Sequence, residues 1–492
     1  MLSEKTKIFI VVALIAVIGA FYIATIRPGH GWGDDFALYI QHAINIVEKA
    51  PYSDTGYIYN SFEPILSGPK TYPPIFPLIL APVYKLFGLN FTAFKIEVIL
   101  CFLLALFFIY LVLRKELSFK YLIALLSIIA LHPFFWSFKD SVMSDFPFLL
   151  WVFLSLFLII RANNLSGKKQ LFYGVLIGGC SYLAYATRVV GIVLPACLVC
   201  CELGVRPRGI PRGLTPVALA VFTLLAVGQA VILSADGSYF NQFNAFSYQT
   251  VIISFLISAK ALIFLWGSSY PAIFLGFIVA LLALLGFIYR LKDKKISALE
   301  IFLILYVLII GLWPSNQGIR FLIPIIPLYL FYCFSFLEKI RPEGRPPQTA
   351  CKFLGGLPFV FIFMVFVCYV SQYMATDFGP IKEGPFKKES IELFQFIKQN
   401  TQPNDVFIFN KPLALALFTS RSASIYRETK IDQENWDYFS QISADYLVQR
   451  QGTVVKYNSH FLDGFVSRNQ ANLENVFSNH DFVVYKIKRK LQ

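Results

Sequence analysis

The chain has 492 residues, 57% of them hydrophobic and 15% charged, with 51 Phe and a net charge of +14; its mean hydropathy is +0.62. That balance excludes an ordinary soluble domain and points to an integral membrane protein. The positive charge reads as loop charge that fixes membrane topology, so no nucleic-acid partner is expected.

Residues Ile8 to Ile26 are apolar over the length that crosses a hydrocarbon core, with Lys5 and Lys7 before them. No small-residue cleavage site precedes Arg27-Pro28, so an uncleaved first helix is expected. Directly after it comes Gly31-Trp32-Gly33-Asp34-Asp35-Phe36-Ala37-Leu38-Tyr39, with two adjacent carboxylates in an extramembrane loop. A helical pattern runs from Phe36 to Lys49, and a Tyr-rich, turn-rich segment reaches Thr71. Tyr72-Pro73-Pro74-Ile75-Phe76-Pro77 then opens an apolar stretch to Gly88 whose prolines and Lys85 suit the interface better than a span.

Further spans are expected near Thr92–Leu113, Tyr121–Phe138, Phe146–Ile160, Leu171–Thr187, Val189–Leu203, Leu214–Leu233, Pro271–Tyr289, Leu299–Trp313, Phe321–Leu337 and Phe353–Tyr373, about eleven with the first. The loops assigned to the cytoplasm are basic, through Arg114, Lys115, Lys120, Arg161, Lys168, Lys169, Arg206, Arg208, Arg212, Arg290, Lys292, Lys294, Lys295, Lys339, Arg341, Arg345 and Lys352. That bias divides Leu171–Leu203 into two short spans hinged near Arg188, and makes Val251–Trp266 an interfacial or re-entrant helix. Of the eight cysteines, Cys197-x-x-Cys200-Cys201 has a metal-like spacing, but its apolar helical setting favours small buried hydrophobes.

After Tyr373 the composition turns mixed. Helical patterns near Glu389–Gln399, Pro412–Thr419 and Trp436–Ile442 alternate with strand-like runs at Val406–Asn410, Asp445–Val448 and Phe482–Ile487. The expected architecture is therefore a polytopic α-helical membrane protein, residues 1–375, whose first outer loop spans 27–90, followed by a small extracytoplasmic α/β domain, 376–492.

Asp34 and Asp35 stand at the outer end of the first span, Asp145 at the start of the fourth, Arg188 at the hinge of the fifth and sixth, and Arg320 at the start of the tenth. A carboxylate at the edge of a span is functional or paired. The arginines either pair with these acids or hold a phosphate, since a guanidinium offers parallel donors to an anionic oxygen. Lys70 is a third candidate for that role, with exposed loop lysine as the alternative.

The acidic pair followed by Tyr39 and Ala43, Tyr72-Pro73-Pro74-Ile75-Phe76-Pro77-Leu78 leading to Leu86-Phe87-Gly88, Ser144-Asp145-Phe146-Pro147, Ala186-Thr187-Arg188-Val189-Val190-Gly191 and Arg320-Phe321-Leu322-Ile323-Pro324 together resemble the GT-C membrane glycosyltransferases. Within these, the likeness is to bacterial relatives of protein O-mannosyltransferases and of the lipid A aminoarabinose transferase, over roughly residues 8–340. The resemblance implies a hexosyl or pentosyl transferase that takes sugar from a polyprenyl-phosphate donor at the outer face of the inner membrane. It also implies inversion at the anomeric carbon and a catalytic base in the first outer loop. Alignment through the pair favours Asp34 as that base and alignment through Tyr39 favours Asp35. Donor phosphate would fall to Arg188, Arg320 or Lys70, and substrate or metal support to Asp145, Tyr72 and Tyr39. The acceptor would be a glycolipid, polysaccharide or protein.

No spacing requires a metal or other cofactor, although His30, Asp34, Asp35 and Asp145 could offer hard ligands to a divalent ion. A polytopic transporter or a cell-envelope assembly protein is the alternative, and the absence of an evident long repeat weakens the transporter.

Overall fold

The computed structural model describes residues 2–162, 165–203, 213–233, 247–293, 296–313, 316–339, 348–451 and 459–488, with the side chains of 348–359 and 459–460 excepted. Arg206, Arg208, Arg212, Lys294, Lys295, Arg341 and Arg345 lie outside the described residues, as does the side chain of Lys352.

Helices lie in every expected span, although Tyr121–Phe138 and Phe321–Leu337 are each divided between two. Five of those described are long and apolar enough to cross a membrane: Glu4–Ala24, Phe91–Leu113, Leu214–Ile232, Tyr248–Trp266 and Tyr270–Lys292. Further helices at Asp145–Arg161, Gly167–Tyr185, Val193–Leu203, Ala298–Gly311 and Ile326–Lys339 complete the bundle with Phe119–Ala130 and Gln348–Met374. Apolar packing alone gains little among lipid tails, so close backbone approach matters. Gly178 provides it between Gly167–Tyr185 and Leu214–Ile232, where an added Cβ would stand 2.4 Å from the Ala218 carbonyl oxygen.

Two segments depart from the simple reading. Tyr121–Phe138 is not one span: the helix ends at Ala130, and His132 and Pro133 start a separate turn, Pro133–Phe138, because proline suits the first helical position and His132 caps the Phe134 amide. The helix Tyr248–Ile263 has the length of a span, yet Ser254 bonds Ile310 and Asn316 while Trp266, just beyond its end, bonds Gln372. These bonds tie the helix to the end of Ala298–Gly311, to the connection after it and, through Trp266, to the last helix of the bundle. The hinge near Arg188 is present as a 3-10 turn, Val189–Ile192.

The C-terminal segment forms a five-stranded sheet of β1 (Val406–Ile408), β2 (Ser422–Ser424), β3 (Tyr446–Arg450), β4 (Leu473–Ser478) and β5 (Phe482–Ile487), ordered β2-β1-β3-β5-β4. The β1 strand pairs in parallel with β2 and β3, and β5 runs antiparallel to β3 and β4. Strands β2 and β4 are too short and mixed to carry a strong periodic signal, and the amphipathic helix Ser459–Arg468 was not foreseen.

This domain is fastened to the first loop. Tyr57 forms a parallel bridge with Ala423 at the edge of β2, with Ala423 N–H to Gly56 O at 2.8 Å and Ile58 N–H to Ala423 O at 2.9 Å. Trp32 enters the domain's core between Phe394, Phe409 and Phe482, with ring centroids at 6.1–6.4 Å. Satisfied backbone groups and an aromatic anchor together hold the acid-bearing loop between bundle and sheet.

Candidate active site

Three helix N-termini converge where the bundle meets the C-terminal domain. Asp35 opens the helix Asp35–Glu48, and Asp145 opens Asp145–Arg161. Asp34 accepts hydrogen bonds from the Leu413 and Ala414 amides, at 3.3 and 3.0 Å, at the start of Pro412–Thr419. Unpaired N–H groups and the helix dipole favour negative charge at such positions, so the sequence places its acids where the backbone supports them.

The loop before them is set by a buried ionic cluster. Asp140 pairs with Arg27 at 2.9 Å, Lys139 at 2.8 Å and Lys95 at 3.8 Å. Lys95 also donates to the carbonyls of Arg27 and Gly29, at 2.6 Å each. These groups fix the turn into Trp32 and the acidic pair, and the cluster was not foreseen as part of the site.

Side chains then link the acids into one chain. The Tyr72 hydroxyl donates to Asp35 Oδ1 at 2.8 Å, and the Arg320 guanidinium donates to Asp35 Oδ2 at 2.7 Å. Arg320 also donates to Asp145 Oδ2 at 2.9 Å and to Gln317 at 2.8 Å. Arg188 pairs with the other oxygen of Asp145, which is 2% exposed. Tyr39 bonds Ser144 at 2.9 Å and stacks on Tyr72 at 4.4 Å.

The two adjacent carboxyls differ in chemistry. Desolvation pushes Asp34 up to about 6; the charge of Lys411 and the two amides offset that only in part, and neighbouring Asp35 adds to it. Burial would raise Asp35 as well, but the Arg320 charge and the Arg320 and Tyr72 hydrogen bonds outweigh it and hold Asp35 below the usual carboxylate range. Burial pushes the Tyr39 phenol up to about 12, so it remains a neutral hydroxyl.

A cavity of about 290 Å³ opens over this network. Asp34, Asp35, Tyr39, Tyr72, Arg188 and Arg320 line it, with Asp145 behind them bound to both arginines. Lys70 is exposed and is not among the lining residues. Among the lining residues not foreseen are Ser67, Thr187, Tyr306 and Gln317, and from the C-terminal segment Asn410 and Lys411, in the connection between β1 and Pro412–Thr419. For the last two the signal was available, because a strand–loop–helix unit leaves its ligand crevice beyond the carboxyl end of the strand.

Metal binding is poorly supported by these donors. A guanidinium already sits between Asp35 and Asp145. His30 uses Nε2 to accept from the Val142 amide and Nδ1 at the Gly31 carbonyl. Among the described residues no group of three or more His, Cys, Asp or Glu side chains could hold an ion.

No protein-family model and no curated protein matches the sequence. Solved structures do share its fold. ArnT from Cupriavidus metallidurans bound to undecaprenyl phosphate superposes with a TM-score of 0.59 at 12% identity, over 98% of each chain. The Archaeoglobus fulgidus oligosaccharyltransferase tethered with an acceptor peptide gives 0.62 at 12% identity, over 99% of this chain and 74% of the other. The archaeal oligosaccharyltransferase AglB, in complex with an inhibitory peptide and a dolichol-phosphate, gives 0.57 at 12% identity, over 91% and 70%.

Proposed function

Proceeding from a fold shared with GT-C membrane glycosyltransferases, we propose that this chain moves a sugar from a polyprenyl-phosphate donor to an acceptor hydroxyl, with inversion and with Asp35 as base. The observation that carries the reading is the cavity itself. Adjacent carboxylates of opposite pKa displacement, two paired arginines and a lysine from a second domain face one space at the end of an apolar bundle.

The geometry favours Asp35 over Asp34. Both oxygens of Asp34 are engaged by backbone amides that move only if the domain moves. Asp35 is held by side chains, which can re-pair, and 26% of its side chain is exposed. In the displacement, the Asp35 carboxylate takes the acceptor O–H proton as that oxygen bonds to the anomeric carbon. The bond from that carbon to the phosphate oxygen breaks on the opposite side, and the lipid phosphate leaves as a stable anion that needs no general acid. Arg188 and Arg320 fix the ionised acids and lend positive potential to the departing phosphate.

An outer-face orientation is supported by the basic residues at the other ends of the helices, Arg114, Lys115, Arg161, Lys168, Lys169, Arg290 and Lys292. Glycolipid, polysaccharide and protein acceptors fit the same chemistry. The test is release of polyprenyl phosphate from a labelled donor by purified wild type in the presence of envelope extract. Labelled extract would support the reading, and a donor left intact would sink it. Transport of the intact donor without bond cleavage would favour the transporter instead.

A further inference from the structure

Three cations line the cavity, and they are not equivalent. Arg188 is bound to Asp145 and lies over the Phe321 ring at 5.4 Å. Arg320 is divided among Asp35, Asp145 and Gln317. Lys411 has no carboxylate within ion-pair distance among the described residues. The acid nearest in effect, Asp34, already spends its two oxygens on the Leu413 and Ala414 amides. Beside Lys411, the Asn410 Oδ1 is buried with no hydrogen-bond partner among the described residues. A buried acceptor left without a donor is costly, so such an atom marks a place where a ligand or water completes the bonding.

These two residues follow the carboxyl end of β1 and bring the C-terminal segment into the cavity lining. We infer that the C-terminal domain completes the site: the Lys411 ammonium holds the phosphate of the lipid-linked sugar, and Asn410 Oδ1 accepts a hydroxyl of the sugar. An ammonium on a flexible stem meets a phosphate from many directions, whereas the arginines are already fixed by two carboxylates. The connection that carries Asn410 and Lys411 leads directly into the Leu413 and Ala414 amides that donate to Asp34, so a shift of Lys411 is felt at the acidic pair. Donor recognition by the domain and the position of the acidic pair are thereby joined through four consecutive residues, Asn410 to Leu413, and Ala414.

This inference rests on the transferase reading, and the test separates the two. Full-length protein in detergent micelles is titrated with radiolabelled undecaprenyl phosphate, and with phosphate-free undecaprenol as the comparison. Wild type should bind the phosphate form at least about tenfold more tightly than the alcohol, the scale of one charge-assisted contact. Lys411→Ala should lose about tenfold for the phosphate form and little for the alcohol, and Lys411→Arg should stay within about threefold of wild type. Matched melting temperatures for the variants exclude misfolding as the cause. Unchanged affinity in Lys411→Ala, or equal loss for lipid and alcohol, overturns the lysine assignment and leaves the transferase standing. Wild type that binds neither undecaprenyl phosphate nor dolichyl phosphate overturns both.

Discussion

Acidifying the protein from pH 7.5 to pH 5 tells the two adjacent aspartates apart. In the free protein Asp34 titrates at about 6, so at pH 5 about 9% of it is ionised. Asp35 is held below its ordinary 3.8, so at pH 5 more than about 90% remains ionised. A base must be ionised to act, and kcat/KM reports the free enzyme's ionisation. With Asp35 as base, kcat/KM should change less than about twofold between pH 7.5 and pH 5, and fall only as pH drops through the depressed Asp35 value. With Asp34 as base, it would fall about tenfold over the same interval. The assay is initial transfer from a fluorescent polyprenyl-phosphate sugar across that range, repeated in Asp34→Asn to remove the Asp34 titration itself. A tenfold decline per pH unit below 6 in wild type, together with an Asp34→Asn protein that keeps its melting temperature and donor affinity but no longer transfers, would refute the assignment of Asp35.

Removing Arg320 strips one partner from both Asp35 and Asp145, but Asp145 keeps Arg188 and the partly exposed Asp35 keeps the Tyr72 hydroxyl, so the loss should fall below the about 3–5 kcal/mol of a fully orphaned buried charge. Arg320→Ala should therefore melt modestly lower than wild type, and any surviving activity should acquire an acid limb at higher pH, because Asp35 loses the charge that depresses it. Trp32→Ala removes the aromatic anchor shared with Phe394, Phe409 and Phe482. Limited proteolysis should then cut the C-terminal domain sooner than in wild type, by a stability loss on the order of 2–4 kcal/mol. Gly56 has φ +68°, and a Cβ there would meet the Arg421 carbonyl oxygen at 3.2 Å; Gly56→Val should expose the Ala423 and Ile58 amides to faster hydrogen exchange.

Much of the site was legible because charge is conspicuous in an apolar chain. Asp34, Asp35, Asp145, Arg188 and Arg320 stood at the edges of expected spans, and five acids and bases at one end of a bundle have few ways to be satisfied. Whether the arginines served phosphate or the acids was not legible, since it depends on distances between residues up to 285 positions apart, as for Asp35 and Arg320. The strand–loop–helix pattern marks a crevice at Lys411, but that this crevice faces the acidic pair was not legible, because nothing local says that this loop folds back onto the first one. The break at His132-Pro133 could have been read from proline chemistry; apolar length overrode it. Tyr57 and Ala423 carry no pairing signal in sequence, so the bond between first loop and sheet edge emerges only in three dimensions.

The central claim is that a carboxylate at this cavity activates an acceptor for sugar transfer from a lipid phosphate. The most direct measurement is sugar transfer from a labelled polyprenyl-phosphate donor by wild type and Asp35→Asn, at matched expression and with donor binding measured in parallel. A loss of about 10²–10⁴-fold in kcat with donor affinity retained is the predicted result, in keeping with removal of a general base. Transfer by Asp35→Asn at the wild-type rate would contradict the account.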